Sequence, residues 1–110
     1  MPKVLLISSH YPPSNLTATH RVRMFAQHLP QFGWNPIVLT VEEQFYEEKS
    51  DLELNKLIPY GQRVERVSAF KLTKPRFIGD MGIRAFFQIK KKAFEILSSE
   101  KIDFVYIFIP

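Results

Sequence analysis

The sequence predicts an α/β domain built on a doubly wound parallel sheet, and three observations predict it. Strand-length apolar runs recur along the chain, at residues 3–9 (KVLLISS), 36–41 (PIVLTV) and 103–109 (DFVYIFI). These runs are continuous rather than alternating, the pattern of strands covered on both faces, as parallel sheets require. Between them lie stretches with apolar residues at helical spacing, so strand and helix alternate. The 110 residues amount to one domain, since compact domains mostly run about 100 to 150 residues. A composition 45% hydrophobic and 14% aromatic supplies a packed core and excludes the disordered class.

The elements follow in order. After the first strand, residues 10–19 (HYPPSNLTAT) are rich in Pro, Ser, Thr and Asn and form the first βα loop. Val22, Phe25, Ala26 and Leu29 make one helical stripe, with Thr17 or Thr19 as N-cap, and Pro30 and Gly33 end the helix. Pro36 opens the second strand. Ser50-Asp51-Leu52-Glu53 has the capping-box pattern, which predicts a short helix over residues 51–57 stopped by Pro59. Residues 63–70 (RVERVSAF) alternate and read as a half-exposed strand near a sheet edge. Residues 73–79 are loop, and Asp80 caps a helix running to about Ser98. The final run is nearly all apolar and is expected deep in the sheet. The sum is an incomplete Rossmann-like doubly wound sheet of about four strands and two to three helices, with right-handed crossovers. A doubly covered last strand with no crossover after it implies the first part of a longer protein, the alternative being a complete small domain whose last strand pairs at an edge.

Charge and residue usage narrow the function classes. The chain holds no Cys, which removes disulfides, thiolate metal sites and thiol nucleophiles. The apolar run after Met1-Pro2-Lys3 is too short for a signal-peptide core or a membrane span. The net charge is +4, unevenly spread: residues 63–92 hold nine basic residues and two acids, whereas residues 42–53 hold six acids and one Lys. A local basic surface attracts phosphate, anionic lipid or nucleic acid, or else simply solvates the fold.

Open α/β sheets bind ligands outside the carboxyl ends of their strands, which points to residues 10–21. The helix that follows aims its unpaired amides at this loop, an anion site in principle. Ser14, Asn15, Thr17, His20 and Arg21 are the candidate substrate- and donor-binding residues, the first three doubling as turn or capping residues. His10 is a candidate cleft residue or a hydrogen-bonded turn residue. His28 belongs to packing at the border of the helical stripe. Glu95, Glu100 and Asp103 read as surface and capping residues around a helix–strand junction, and no metal site is expected. No glycine relieves the first loop, so a dinucleotide fingerprint and a P-loop are both absent. From residue 80, an apolar arc of Ile83, Phe86, Phe87, Ile89, Ala93, Phe94, Ile96 and Leu97 covers about half of a helix circumference and includes Lys90. It is read either as a core helix with Lys90 snorkelling from its rim or as a basic-aromatic membrane-surface segment.

The run from Lys3 through Pro12-Pro13, Arg21, Leu29-Pro30, Phe32-Gly33-Trp34 and Pro36 to Thr40 resembles the N-terminal segment of family 4 glycosyltransferases of GT-B architecture, which in bacterial versions reads roughly "PPSGG...R...YLPEFGW.PVVLT". The ending Lys101-Ile102-Asp103-Phe104-Val105-Tyr106 is similar to that family's "KPDVVY". The resemblance implies that residues 1–110 are the N-terminal part of an acceptor-side Rossmann-like domain, with a C-terminal donor domain as its missing partner. It implies sugar transfer from a nucleotide-sugar, a donor substrate rather than a cofactor, to a glycan or lipid-linked acceptor. The fragment alone would be inactive. It further implies a cytoplasmic protein peripheral on the inner membrane face, with no nucleic-acid partner. Asn15, Leu16 and Ala18 depart from the family's glycine-rich loop, whereas Pro12, Pro13, Ser14 and Arg21 match it. Two other classes compete: a flavodoxin-like phosphate- or flavin-binding module, and a non-catalytic membrane-surface interaction domain.

Overall fold

The computed structural model describes residues 2–8, 10–12, 17–42, 56, 58, 61–68 and 85–108. Strands β1 (Lys3–Ile7), β2 (Asn35–Val41), β3 (Arg63–Val67) and β4 (Phe104–Ile107) form one sheet in the order β3-β2-β1-β4, with every pairing parallel. Helix α1 (Thr17–His28) lies between β1 and β2, and helix α2 (Phe86–Ser99) precedes β4. This is the incomplete α/β Rossmann-like fold that the alternating apolar runs predict. A flavodoxin-like sheet would set β1 between β2 and β3; here β1 lies between β2 and β4, so the chain does not adopt that arrangement.

The strand period of two divides the core into two layers. Val4, Leu6 and Val38 point to one face, where Val22 and Ala26 of α1 meet them with Leu29 and Trp34. Leu5, Ile37 and Leu39 point to the other, against Ile89, Ala93 and Ile96 of α2. Leu5 and Leu6 are fully buried, each contributing about 2 kcal/mol of hydrophobic stabilisation. The crossovers β1 to β2 and β3 to β4 run in opposite directions along the sheet. Crossovers of one hand then need helices on opposite faces, which is where α1 and α2 lie. Ile58, in the connection to β3, packs on the α1 face, the side the same rule assigns to it.

Local chemistry sets the element ends. A 3-10 turn (Leu29–Phe32) with Pro30 near its start follows α1, and Gly33 closes it at φ 84°, its N–H bonding Pro30 O at 3.2 Å. Only glycine takes that left-handed backbone without strain. Thr19 is the third residue of α1 and is buried, so it does not cap from outside as the loop reading allowed. Phe25 sits at the rim of the stripe, half exposed and stacked on Tyr106 at 5.8 Å. His28 is not core packing either: at the helix end its Nδ1 lies 3.0 Å from Gln31 Nε2.

Three further expectations change. The helix expected from Asp80 begins at Phe86, with Ala85 as an N-cap that offers no side-chain bond; Asp80, like the helix expected at 51–57, falls outside the described residues, Lys56 excepted. β3 is an edge strand as predicted, but it has no single apolar face. Val64 turns to the α1 layer and Val67 to the α2 layer, because the strand lies between both. Among the described residues β4 lies at an edge rather than deep in the sheet: it pairs there with β1 alone, and Phe104, Val105, Tyr106 and Ile107 are 40–62% exposed. Among the described residues nothing lies against its outer edge, so apolarity alone does not bury it.

Candidate functional site

The strand order reverses at β1, from which the chain departs toward β2 while β4 lies on the other side. Ligands of doubly wound sheets bind at such a reversal, beyond the carboxyl ends of the strands. Four segments converge there: the chain leaving β1, the start of α1, the end of β3 and the residue after β4.

The exit from β1 is tightly tied. Ser8 extends the ladder by one bond, donating its N–H to Leu39 O at 3.0 Å. Its hydroxyl then donates to His10 O at 2.7 Å and accepts from His10 N at 3.3 Å, forming a local side-chain turn. His10 is only 8% exposed, so it is a turn residue buried at the edge of the sheet rather than a side chain presented to open solvent. Tyr11 and Pro12 go under completely. The Tyr11 ring joins Val22, Ala26, Val38 and Phe108 in the α1-side core. Burial pushes its phenol up to about 12, against an opposing pull from Arg66 and Arg23.

Arg66 holds this segment from the side. It leaves β3 on the same face as Val64 and donates from Nη2 to Pro12 O at 2.6 Å and from Nη1 to Val41 O at 3.3 Å. Its guanidinium carbon lies 5.9 Å from the centre of the Tyr11 ring. The planar fork of arginine suits two carbonyls at once. In the sequence Arg66 is one of the nine basic residues of 63–92; the signal of its role is the two-residue spacing from Val64, which puts a cation on a core-facing side of a strand.

Arg21 stands at the opposite rim. It is exposed in the second turn of α1, with its guanidinium 5.9 Å from the ring of Phe108. Phe108 is fixed by its N–H bonding Ile7 O at 2.8 Å and by the Phe25 ring at 5.5 Å. The structure thus brings Arg21 beside the end of β4 and places His20 half-buried in the first turn of α1. Thr17 is the first residue of α1. Ser14 and Asn15 lie outside the described residues. The arrangement offers a cationic rim and the start of a helix to an anion. Among the described residues no three His, Asp or Glu side chains gather as a metal-binding group.

The opposite, amino edge of the sheet is structural. Glu100, which closes α2, takes Lys3 Nζ at 3.0 Å and Arg63 Nη2 at 2.7 Å, while Asp103 accepts the Lys3 N–H at 2.8 Å. Hydrogen bonds from Arg63 and Lys3 hold the Glu100 carboxyl down at about 2. Glu100 holds the C-cap position of α2, as read, through its backbone N–H to Ile96 O, whereas Asp103 ties the start of β1 rather than a helix end. Comparison of the chain with protein families, with curated proteins and with solved structures gives no match.

Proposed function

We propose that the chain is the amino-terminal part of the acceptor-side domain of a sugar transferase that uses a nucleotide-activated donor, as the resemblance to family 4 glycosyltransferases implies. The observation that carries this reading is that Ser8, His10, Tyr11 and Pro12 leave β1 at the reversal of strand order, with Arg21 at the same edge against Phe108. A cation there complements the diphosphate of a nucleotide-sugar. In this reading a donor domain faces the edge, and Ser14, Asn15, Thr17, His20 and Arg21 form this side of the cleft. Orientation of donor and acceptor and electrostatic stabilisation of the departing diphosphate supply the rate, with no obligatory metal. The acceptor is a glycan or a lipid-linked saccharide, met at the cytoplasmic face of a membrane.

The test is sugar transfer by the protein that joins this chain to its donor domain. Arg21→Ala should lower kcat/KM by at least about tenfold with an unchanged Tm, because Arg21 is exposed. Unaltered kinetics over a range of acceptors would remove Arg21 from the cleft. Absence of transfer from every nucleotide-sugar would overturn the transferase reading itself.

A further inference from the structure

The outward face of α2 is the most unusual surface among the described residues. Ile89, Ala93 and Ile96 face the sheet, as an amphipathic helix requires. The apolar arc read from the sequence does not end there: Phe86, Phe87, Phe94 and Leu97 point away from the core and are 54%, 66%, 56% and 40% exposed. A surface helix ordinarily presents polar residues on this side, and a contiguous aromatic patch marks an interaction surface.

The charge of that face decides what it suits. Lys90 lies in the same arc and Lys91 just beyond its edge, and both are exposed. Lys90 Nζ stands 5.9 Å from the Phe86 ring centre and 6.0 Å from that of Phe94, so the ammonium is set among the rings. The acid of this helix, Glu95, lies 3.7 Å from Lys92, which turns the other way, to within 4.0 Å of Glu65 on β3. The outward arc is therefore aromatic and positive, with its acid drawn aside. Exposed Lys101 follows the helix, and Lys74, Arg76 and Arg84 precede it in sequence.

We propose that this face docks on the surface of an anionic phospholipid bilayer. Aromatic rings settle at the boundary between headgroups and acyl chains, while lysine stems lie along apolar surface and lift their ammonium groups to the phosphates. Attraction to anionic lipid adds to the apolar contact. No helix among the described residues is long and apolar enough to cross a membrane, so the contact is peripheral. A second apolar surface lies on the far side of the sheet, a groove lined by Phe25, Trp34, Phe104 and Tyr106. It carries no lysine or arginine, and the chain's one tryptophan sits in it. The docking inference does not depend on the transferase reading.

The experiment is co-sedimentation of the chain with vesicles of phosphatidylcholine alone and of equimolar phosphatidylcholine and phosphatidylglycerol, with Trp34 emission recorded alongside. Partition should be roughly thirtyfold stronger on the anionic vesicles, the effect of two interfacial lysines, and should weaken with added salt. K90E/K91E should abolish that preference and F87S/F94S should abolish binding. Both pairs alter exposed positions, so the far-ultraviolet circular dichroism should stay unchanged. Trp34 emission should not move, because its groove faces away from α2. Equal partition on both vesicle types, binding that survives both double substitutions, or a blue shift of Trp34 would each overturn the proposal. Self-association lost in F87S/F94S without vesicle binding would overturn it in favour of a second copy of this chain.

Discussion

Tyr11 is the residue whose chemistry the fold changes most. In the unfolded chain its phenol ionises near 10, and in the folded chain burial raises this to about 12. The folded state therefore favours the neutral phenol: stability is unaffected below pH 10 and falls as pH rises through 10 toward about 12, where only the unfolded chain gains by losing the proton. Tyr11→Phe should remove that alkaline slope, read as urea midpoints that no longer decline over this window; an unchanged slope would mean that another group drives it. Arg66 is the second such residue. Arg66→Lys keeps the charge but offers a point cation to two carbonyls, and should cost about 2 kcal/mol in urea unfolding. Neither role was legible from residue type. Tyr11 reads as part of a polar, proline-rich loop, and only the fold shows that its ring enters the core beside Val22 and Ala26 of α1. Arg21 shows the opposite case: its position one turn into a helix that opens at the carboxyl edge was enough to bring it to the rim.

At the scale of elements, the sheet is locked at its two ends by different means. The carboxyl end uses neutral turn bonds around Ser8 and the Arg66 fork, while the amino end uses the ion cluster of Lys3, Arg63 and Glu100. Glu100 titrates lower in the folded chain, at about 2, than in the unfolded chain, at 4.5. Its contribution is thus present above pH 4.5 and lost as pH falls through about 2. Glu100→Gln should flatten the acid limb of the stability profile, measured by thermal melts across this range, with no effect at the alkaline limb. β1 and β2 were legible as continuous apolar runs, and α1 and α2 through their helical period, α1 also through its Pro-Gly stop. Boundaries failed where propensity is weak. The start of α2 has no capping side chain, so nothing in the letters marks Ala85 as its boundary. β4 failed for another reason: an apolar sequence reports what a strand tolerates on its faces, not its rank in the sheet.

For the whole molecule, strand order and helix faces set apart one edge of the sheet as the proposed ligand site and one helix face as the proposed lipid-facing surface. The order β3-β2-β1-β4 was not legible in the sequence, because adjacency of β4 to β1 is a pairing between distant segments and leaves no local trace. The candidate site was legible as a location, the first loop, through the rule that parallel sheets bind at their carboxyl ends. The clamp from β3 was not, since it depends on that order. The most direct test of the site is an amide chemical-shift titration of this chain with nucleoside diphosphates. Shifts gathered at Ser8, His10, Tyr11, Arg21 and Phe108 are the predicted result; shifts confined to Lys3, Arg63 and Glu100 at the opposite edge, or none at saturating ligand, would contradict it.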